Sequence, residues 1–285
     1  MLTINTSDIS PLELQGYLQS AIAPRPICLA STIDKEGQVN LSPFSYFNLF
    51  SMNPPICIFS PSRRVRDNTT KHTLENLKEV PECVINIVNY AMVQQVSLSS
   101  CEYPKDINEF TKAGFTQIPS DMVAPPRVAE SPIQLECTVA QIIALGEKAG
   151  AGNLVLAEIK KIHIAESVLN ANNKIDQAKL DLVARLGGDW YARINEQNLF
   201  EVTKPNTQLG MGFDLLPKFI RDHAGLTSNE KAQLANCTTL PALFAQNADT
   251  LVNLTPTSIE AIKLELANNN AQSAWTIIEK SASHQ

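Results

Sequence analysis

The 285-residue sequence has no apolar run near the roughly 18–20 residues that a membrane-crossing helix requires; NLVLAEI and VINIV stop far short. The opening stretch, MLTINTSDIS, carries neither a basic segment nor an apolar one behind it, so no secretory signal is expected and a cytoplasmic location is. Positive charge is scarce: 23 Lys and Arg against 29 Asp and Glu leave a formal net charge of −6, which gives general nucleic-acid binding no electrostatic support. The six cysteines (Cys28, Cys57, Cys83, Cys101, Cys137 and Cys237) form no C-x-x-C pair. The four histidines (His72, His163, His223 and His284) have no metal-ligand spacing with one another or with cysteine, so no metal site is expected. There is no Gly-x-Ser-x-Gly elbow and no Cys–His nucleophile pattern. GAGNLV (150–155) lacks a third glycine and precedes a strand, which excludes a dinucleotide fingerprint. LGMGFD (209–214) reads as a turn before a helix.

What remains is an ordinary globular profile, 44% hydrophobic and 18% charged. SPLELQGYLQ places Ser10 as N-cap, Pro11 at the first helical position and Glu13 three after the cap. RPICLASTI (25–33) is a strand, and DKEGQV a hairpin turn with Gly37 free to take positive φ. PICIFSP and ECVINIVN are further strands, and TTKHTLENLKEV between them puts Leu74, Leu77 and Val80 on one helical face. A short helix is expected at Glu109–Ala113. Two long strands, 132–145 and 153–166, flank a glycine-containing hairpin loop. IDQAKLDLVARL (175–186) reads as helix, and Trp190 in the following GGDWYARI as a residue packed in the core, with a pocket mouth as the alternative. Cys28, Cys57, Cys83 and Cys137 lie in apolar strands as buried reduced thiols. His163 alternates within a strand in a structural role. Short, numerous strands separated by turns favour a closed antiparallel barrel over a parallel α/β sheet. Beyond Pro205 the periodicity turns helical, which divides the chain into 1–205 and a helical region at 206–285 of unknown role, including helices at 240–251 and in AQSAWTIIEKSA. The apolar stripes of that region lack a basic polar face, so a membrane-lying role is not expected.

Two stretches suggest chemistry. NLSPFSYFN (40–48) combines Phe44, Tyr46 and Phe47 with Ser42, Ser45 and a proline, as a loop lying against a flat ligand would. SPSRRVRDNTTKHT (60–73) packs Arg63, Arg64, Arg66, Lys71 and His72 among hydroxyls, with Asp67 the one acid, at the entry to a helix. Free backbone N–H groups and the positive end of the helix dipole make such a junction an anion site. A solvated basic loop is the competing reading. An aromatic-compatible surface beside a phosphate site suits a flavin mononucleotide.

The segments AIAPRPICLASTIDKEGQVNLSPFSYFNLFSMNPPICIFSPS and KHTLENLKEVPECVINIVN closely resemble the flavin reductase-like family of FMN-binding split β-barrels, which includes flavoredoxins and small flavin reductases. The resemblance covers about residues 1–204. It implies a mainly β fold with helices, a split barrel of six or so strands, non-covalent FMN, and a homodimer with the flavin near the subunit interface. It places Ser42, Pro43, Phe44, Ser45, Tyr46 and Phe47 along the flavin ring, and Ser60, Lys71, His72 and Thr73 near the phosphate. Arg25 and Pro26 would open the first strand at the pocket edge. His72 replaces an acid frequent in the family's Lys-Asp-Thr. Gly152 and Asn153 stand where many NAD(P)H-dependent members carry Asp-His, which leans the reading toward the flavoredoxin-like branch. The implied function is oxidoreduction with electrons from NAD(P)H or a redox protein. The alternative is a flavin carrier or sensor whose helical tail contacts a partner.

Overall fold

The computed structural model describes residues 1–202, 209–246, 252 and 254–283. The chain forms two compact units, Met1–Leu199 and Phe200–Gln285. The sequence boundary at 205 and His284 lie outside the described residues, as does part of the expected helix at 240–251.

Twelve strands belong to the first unit: β1 (Arg25–Pro26), β2 (Cys28–Ile33), β3 (Val39–Phe44), β4 (Phe47–Met52), β5 (Pro55–Phe59), β6 (Glu82–Ile87), β7 (Gln117–Ile118), β8 (Arg127–Val128), β9 (Ile133–Ala144), β10 (Asn153–Ile164), β11 (Val183–Arg185) and β12 (Tyr191–Arg193). Its helices are α1 (Pro11–Ala21), α2 (His72–Glu79), α3 (Val93–Leu98), α4 (Glu109–Ala113) and α5 (Gln177–Leu180). Seven strands make one antiparallel sheet in the order β3-β2-β6-β9-β10-β5-β4. Among the described residues no ladder joins β3 to β4, so the barrel is split, as the family resemblance implies, and not closed as strand spacing alone favours. Residues 40–44 are strand rather than loop; only Ser45 and Tyr46 separate β3 from β4.

The period-2 pattern of β2 divides its side chains between two cores. Cys28 and Ala30 join Phe44, Cys57, Phe59, Cys83, Ile85 and Cys137 inside the barrel. Leu29 joins Leu41, Met92, Val96 and Phe110 under α3 and α4. Cys83 and Cys137 lie directly opposite each other on β6 and β9, and all four interior cysteines are buried and free. Ser10 caps α1 by accepting from Glu13 N at 3.2 Å, and Gly37 takes φ +81° in the β2–β3 turn.

Two sequence expectations fail here. The helix read over 175–186 is only the single turn α5. Asp181 takes φ 49° and accepts both Arg193 Nε and Nη2, at 2.8 and 2.9 Å, while 183–185 pair with β1 and β12. QAKL keeps its helical turn, but backbone pairing on two sides outweighs continuation of the helix through 183–185. Trp190 is 75% exposed instead of in the core, because it sits at the corner of the β11–β12 hairpin, where Leu186 N donates to its carbonyl.

The second unit holds α6 (Lys218–Arg221), α7 (Ser228–Ala235), α8 (Ala242–Gln246), α9 (Pro256–Ala267) and α10 (Ala271–Ser283). Thr227 and Glu230 form a capping box on α7, and Thr255 caps α9. Trp275 lies in its core beside Phe244, with Nε1 donating to Leu234 O at 3.1 Å. Among the described residues no helix is long and apolar enough to cross a membrane.

One buried charge fastens the 116–131 loop to the sheet. Glu136 on β9 is fully buried; it accepts from Asp121 N at 2.9 Å and Met122 N at 2.6 Å, and His163 Nε2 on β10 lies 2.6 Å away. Asp121, Glu136 and His163 also bring their ligand atoms within 4.8 Å of one another. Lys161 already pairs with Asp121, and Arg127 lies 3.9 Å from Glu136. Desolvation raises the Glu136 pKa, but the hydrogen bonds from Asp121, His163 and Met122 outweigh it and hold the group below the ordinary carboxylate value. A depressed carboxylate stabilises the fold above its unfolded pKa and loses that contribution as pH falls through the folded value. Glu136→Gln should therefore destabilise by about 1–3 kcal/mol at pH 7. The gap to the parent should close on acidification below the ordinary glutamate value, as measured by denaturant melts at stepped pH. A gap that does not change with pH would contradict this account.

Candidate functional site

The 60–73 loop looks uniformly basic in sequence, but its arginines are spent locally. Arg63 donates to Asn68 Oδ1 and O, each at 2.6 Å. Arg64 donates to Thr69 Oγ1 and Thr70 O and pairs with Glu102 at 3.1 Å. Arg66 pairs with Glu102 at 2.6 Å and with Asp67. Hydrogen bonds from Thr69 Oγ1 and N hold the Asp67 carboxyl at about 2.

Lys71 is the exception. Its ammonium is half-buried, 5.5 Å over the Phe44 ring, with no hydrogen bond or ion pair among the described residues. Burial, and then the Arg64 guanidinium, push its pKa below the ordinary value, with Glu102 opposing. Lys71 also occupies the N-cap of α2, and no side chain caps that end. The N–H groups of the first turn, at His72 and Thr73, have no intrahelical partner. An unpaired, partly desolvated cation beside an uncapped helix start is a place for an anion.

Ser42, Lys71, His72 and Thr73 line one small cavity with Asn40, the 99–103 segment and Glu109. At about 30 Å³ it holds roughly one water-sized group, such as an oxygen of an anion, and no ring. Thr73 is fully buried, and its Oγ1 accepts from Asn40 Nδ2 at 2.9 Å, so its side chain anchors α2 to β3. Glu109 reaches the same wall from α4 and accepts from Leu41 N at 3.0 Å; burial raises its pKa.

The other sequence-chosen residues form a second group. Ser45 and Tyr46 make the turn at the open end of the sheet; Tyr46 is exposed and its hydroxyl accepts from Gln19 Nε2 at 3.2 Å. Ser60 N donates to Tyr46 O at 2.9 Å. Arg25 is buried with its guanidinium on Gln19 O, Ile22 O and Leu186 O; only Nε, at 3.5 Å from Ser45 Oγ, faces the turn. Desolvation lowers the Arg25 pKa, Arg185 adds to this, and Tyr46 opposes it. Pro26 pairs with Ala184, and Pro43 with Leu29, as ladder positions. Phe47 is half-buried against the barrel core. The two groups meet through the Phe44 and Phe59 rings, whose centroids are 5.1 Å apart: Lys71 lies over the first, and Ser60 follows the second.

Sequence reasoning did not single out Asn40, Glu102 or Glu109. Glu102 neutralises two arginines from 36 and 38 residues away, and nothing local in SSCEYP announces it. Gly152 and Asn153 turn out to be packing positions. Asn153 N donates to Ser60 Oγ at 3.1 Å and its Nδ2 to Pro61 O at 3.0 Å. A Cβ at Gly152 would stand 2.8 Å from Ser60 Oγ.

A family model for flavin reductase like domains matches residues 20–179. An uncharacterized protein of Halalkalibacterium halodurans is 34% identical over 206 residues, which is 72% of this chain and 97% of that one. Among solved structures, nitrilotriacetate monooxygenase component B from Bacillus cereus is similar with a TM-score of 0.66 and 30% identity, covering 71% of this chain and 98% of that one. Flavoredoxin of Desulfovibrio vulgaris shares the fold at a TM-score of 0.54 and 22% identity, covering 63% and 90%.

The Gly152–Ser60 contact predicts a specific coupling. Gly152→Ala should cost about 1–3 kcal/mol by overpacking. Adding Ser60→Ala should restore part of that loss, as read from urea melts of the two single variants and the double variant. Strictly additive losses would mean that the two positions do not touch. The chain belongs to the flavin reductase-like family.

Proposed function

We propose that the chain binds FMN, rather than FAD, and works as an electron-transferring oxidoreductase of the flavoredoxin or flavin reductase type. The observation that carries this reading is Lys71: a half-buried ammonium without an ion-pair partner among the described residues, at a helix start that no side chain caps. Lys71 and the first-turn N–H groups of α2 would hold the phosphate, with Ser42 and His72 on the same wall. The cavity there is too small for a ring, so the ring would lie on the open side, along Ser45, Tyr46 and Phe47. Ser60, tied to Tyr46 O, fixes that turn. A flavin, when bound, supplies two-electron and one-electron transfer. The protein's part is to orient it and to leave one face open.

A homodimer completes the reading. Edge strand β4 exposes Leu49, Phe50 and Met52, and α1 buries none of its residues, so this side offers apolar area to a second copy. The donor is NAD(P)H or a redox protein. Gly152 and Asn153 stand where the resemblance implies Asp-His in NAD(P)H-dependent members, and the Asn153 N and Nδ2 donors are committed to Ser60 and Pro61, which favours a redox protein.

Lys71→Met tests the phosphate assignment. Losing a charge-assisted contact should weaken FMN binding about 10- to 150-fold. Riboflavin, which lacks the phosphate, should bind both proteins alike in the same fluorescence titration. Equal losses for FMN and riboflavin, or none for either, would remove Lys71 from the site.

A further inference from the structure

The three-stranded sheet β1-β11-β12 carries a feature that the flavin reading does not use. The face of the β11–β12 hairpin that bears Val183, Arg185, Tyr191 and Arg193 looks across a cleft of about 420 Å³ to Tyr90 and the α3 residues Gln94 and Ser97. That volume falls within the range of small-molecule sites.

The two arginines of the cleft are in opposite conditions. Arg193 is stacked 3.8 Å from the Tyr90 ring centroid, and Asp181 takes both its Nε and Nη2. Its charge is neutralised and its Nε–Nη2 edge is taken. Arg185 is stacked 4.6 Å from the Tyr191 ring centroid and is only 27% exposed, yet its one hydrogen bond among the described residues runs from Nη1 to Trp190 O at 3.3 Å. Its one acidic neighbour is Asp189, at 3.9 Å on the fully exposed hairpin turn. A guanidinium has five N–H donors. Arg185 is held in place by an aromatic ring, is largely withdrawn from water, and has most of those donors unspent. Arg25 lies beside it on the paired strand and adds a second positive field.

We propose that this cleft is a second binding site, for a small planar organic anion such as an aromatic carboxylate. Arg185 takes the carboxylate with its free fork, and the Tyr90 and Tyr191 walls confine the planar body. Asp189 is the opposing charge and lies at the rim, where it moves aside at little cost.

The test uses the full chain and sodium benzoate as the probe, followed by calorimetry and by the emission of Trp190 beside Arg185; the other tryptophan, Trp275, is buried in the second unit. Benzoate should bind the parent and perturb the Trp190 emission. Arg185→Gln should weaken binding about 10- to 100-fold. Arg185→Lys, which keeps the charge but loses the fork, should fall between the two and also guards against a folding defect in the glutamine variant. Lys71→Met should leave benzoate binding unchanged, which separates this site from the proposed flavin site. No benzoate binding to the parent at about 10 mM, a millimolar-scale affinity limit, would overturn the proposal. So would equal binding by all three Arg185 forms. Inorganic phosphate binding as tightly as benzoate would overturn the planar class.

Discussion

The contact between Phe44 and Phe59 is the one on which the rest of the first unit depends. These rings come from β3, at one end of the seven-stranded sheet, and β5, next to the other end, and they meet at 5.1 Å. No hydrogen-bonded ladder closes the sheet there, so side-chain packing closes it instead. The small thiols of Cys28, Cys57, Cys83 and Cys137 fill the space behind the rings and let the two arms approach. Backbone groups and side chains at the split are left available, and Lys71, Ser45, Tyr46 and Ser60 gather around that opening.

The charge arrangement follows the same economy. Of three arginines and a lysine in the loop, Arg64 and Arg66 pair with Glu102, Arg63 spends its donors on Asn68, and Lys71 alone has neither a hydrogen bond nor an ion pair among the described residues. The absorbed charges fix the loop, and the remaining one faces a helix start. Surface ion pairs of this kind contribute little to stability; here they leave the Lys71 ammonium as the cation of the loop without a polar partner among the described residues.

Much of the fold is legible in the sequence because period-2 alternation runs through 133–139 and 153–164, 28–33 is a short run bounded by turn residues, and turn chemistry is clear at Gly37. The split is carried by the family resemblance and not by the strand pattern, since it depends on which strand ends find partners. The helix over 175–186 is not what forms because pairing of 183–185 with two other segments decides the second half of that helically spaced stretch, and Trp190 is exposed because the hairpin this pairing builds turns beside it. Of the candidate site, Lys71 and Ser42 were visible as residue types at a strand–helix junction. The neutralisation of Arg64 and Arg66 by Glu102, the anchoring roles of Thr73 and Asn153, and the contact of Arg25 with Leu186 O depend on residues dozens of positions away. Sequence pattern does not carry that information. His163 was read as structural, and its contact with buried Glu136, 27 positions away, explains why it lies there.

The central claim is that the split barrel holds FMN through its phosphate. Chromatography of the chromophore released by heat from the purified protein tests it most directly. The account predicts FMN at about one per chain, either co-purified or taken up on reconstitution. A protein that stays colourless after incubation with FMN, or that releases FAD, would contradict it.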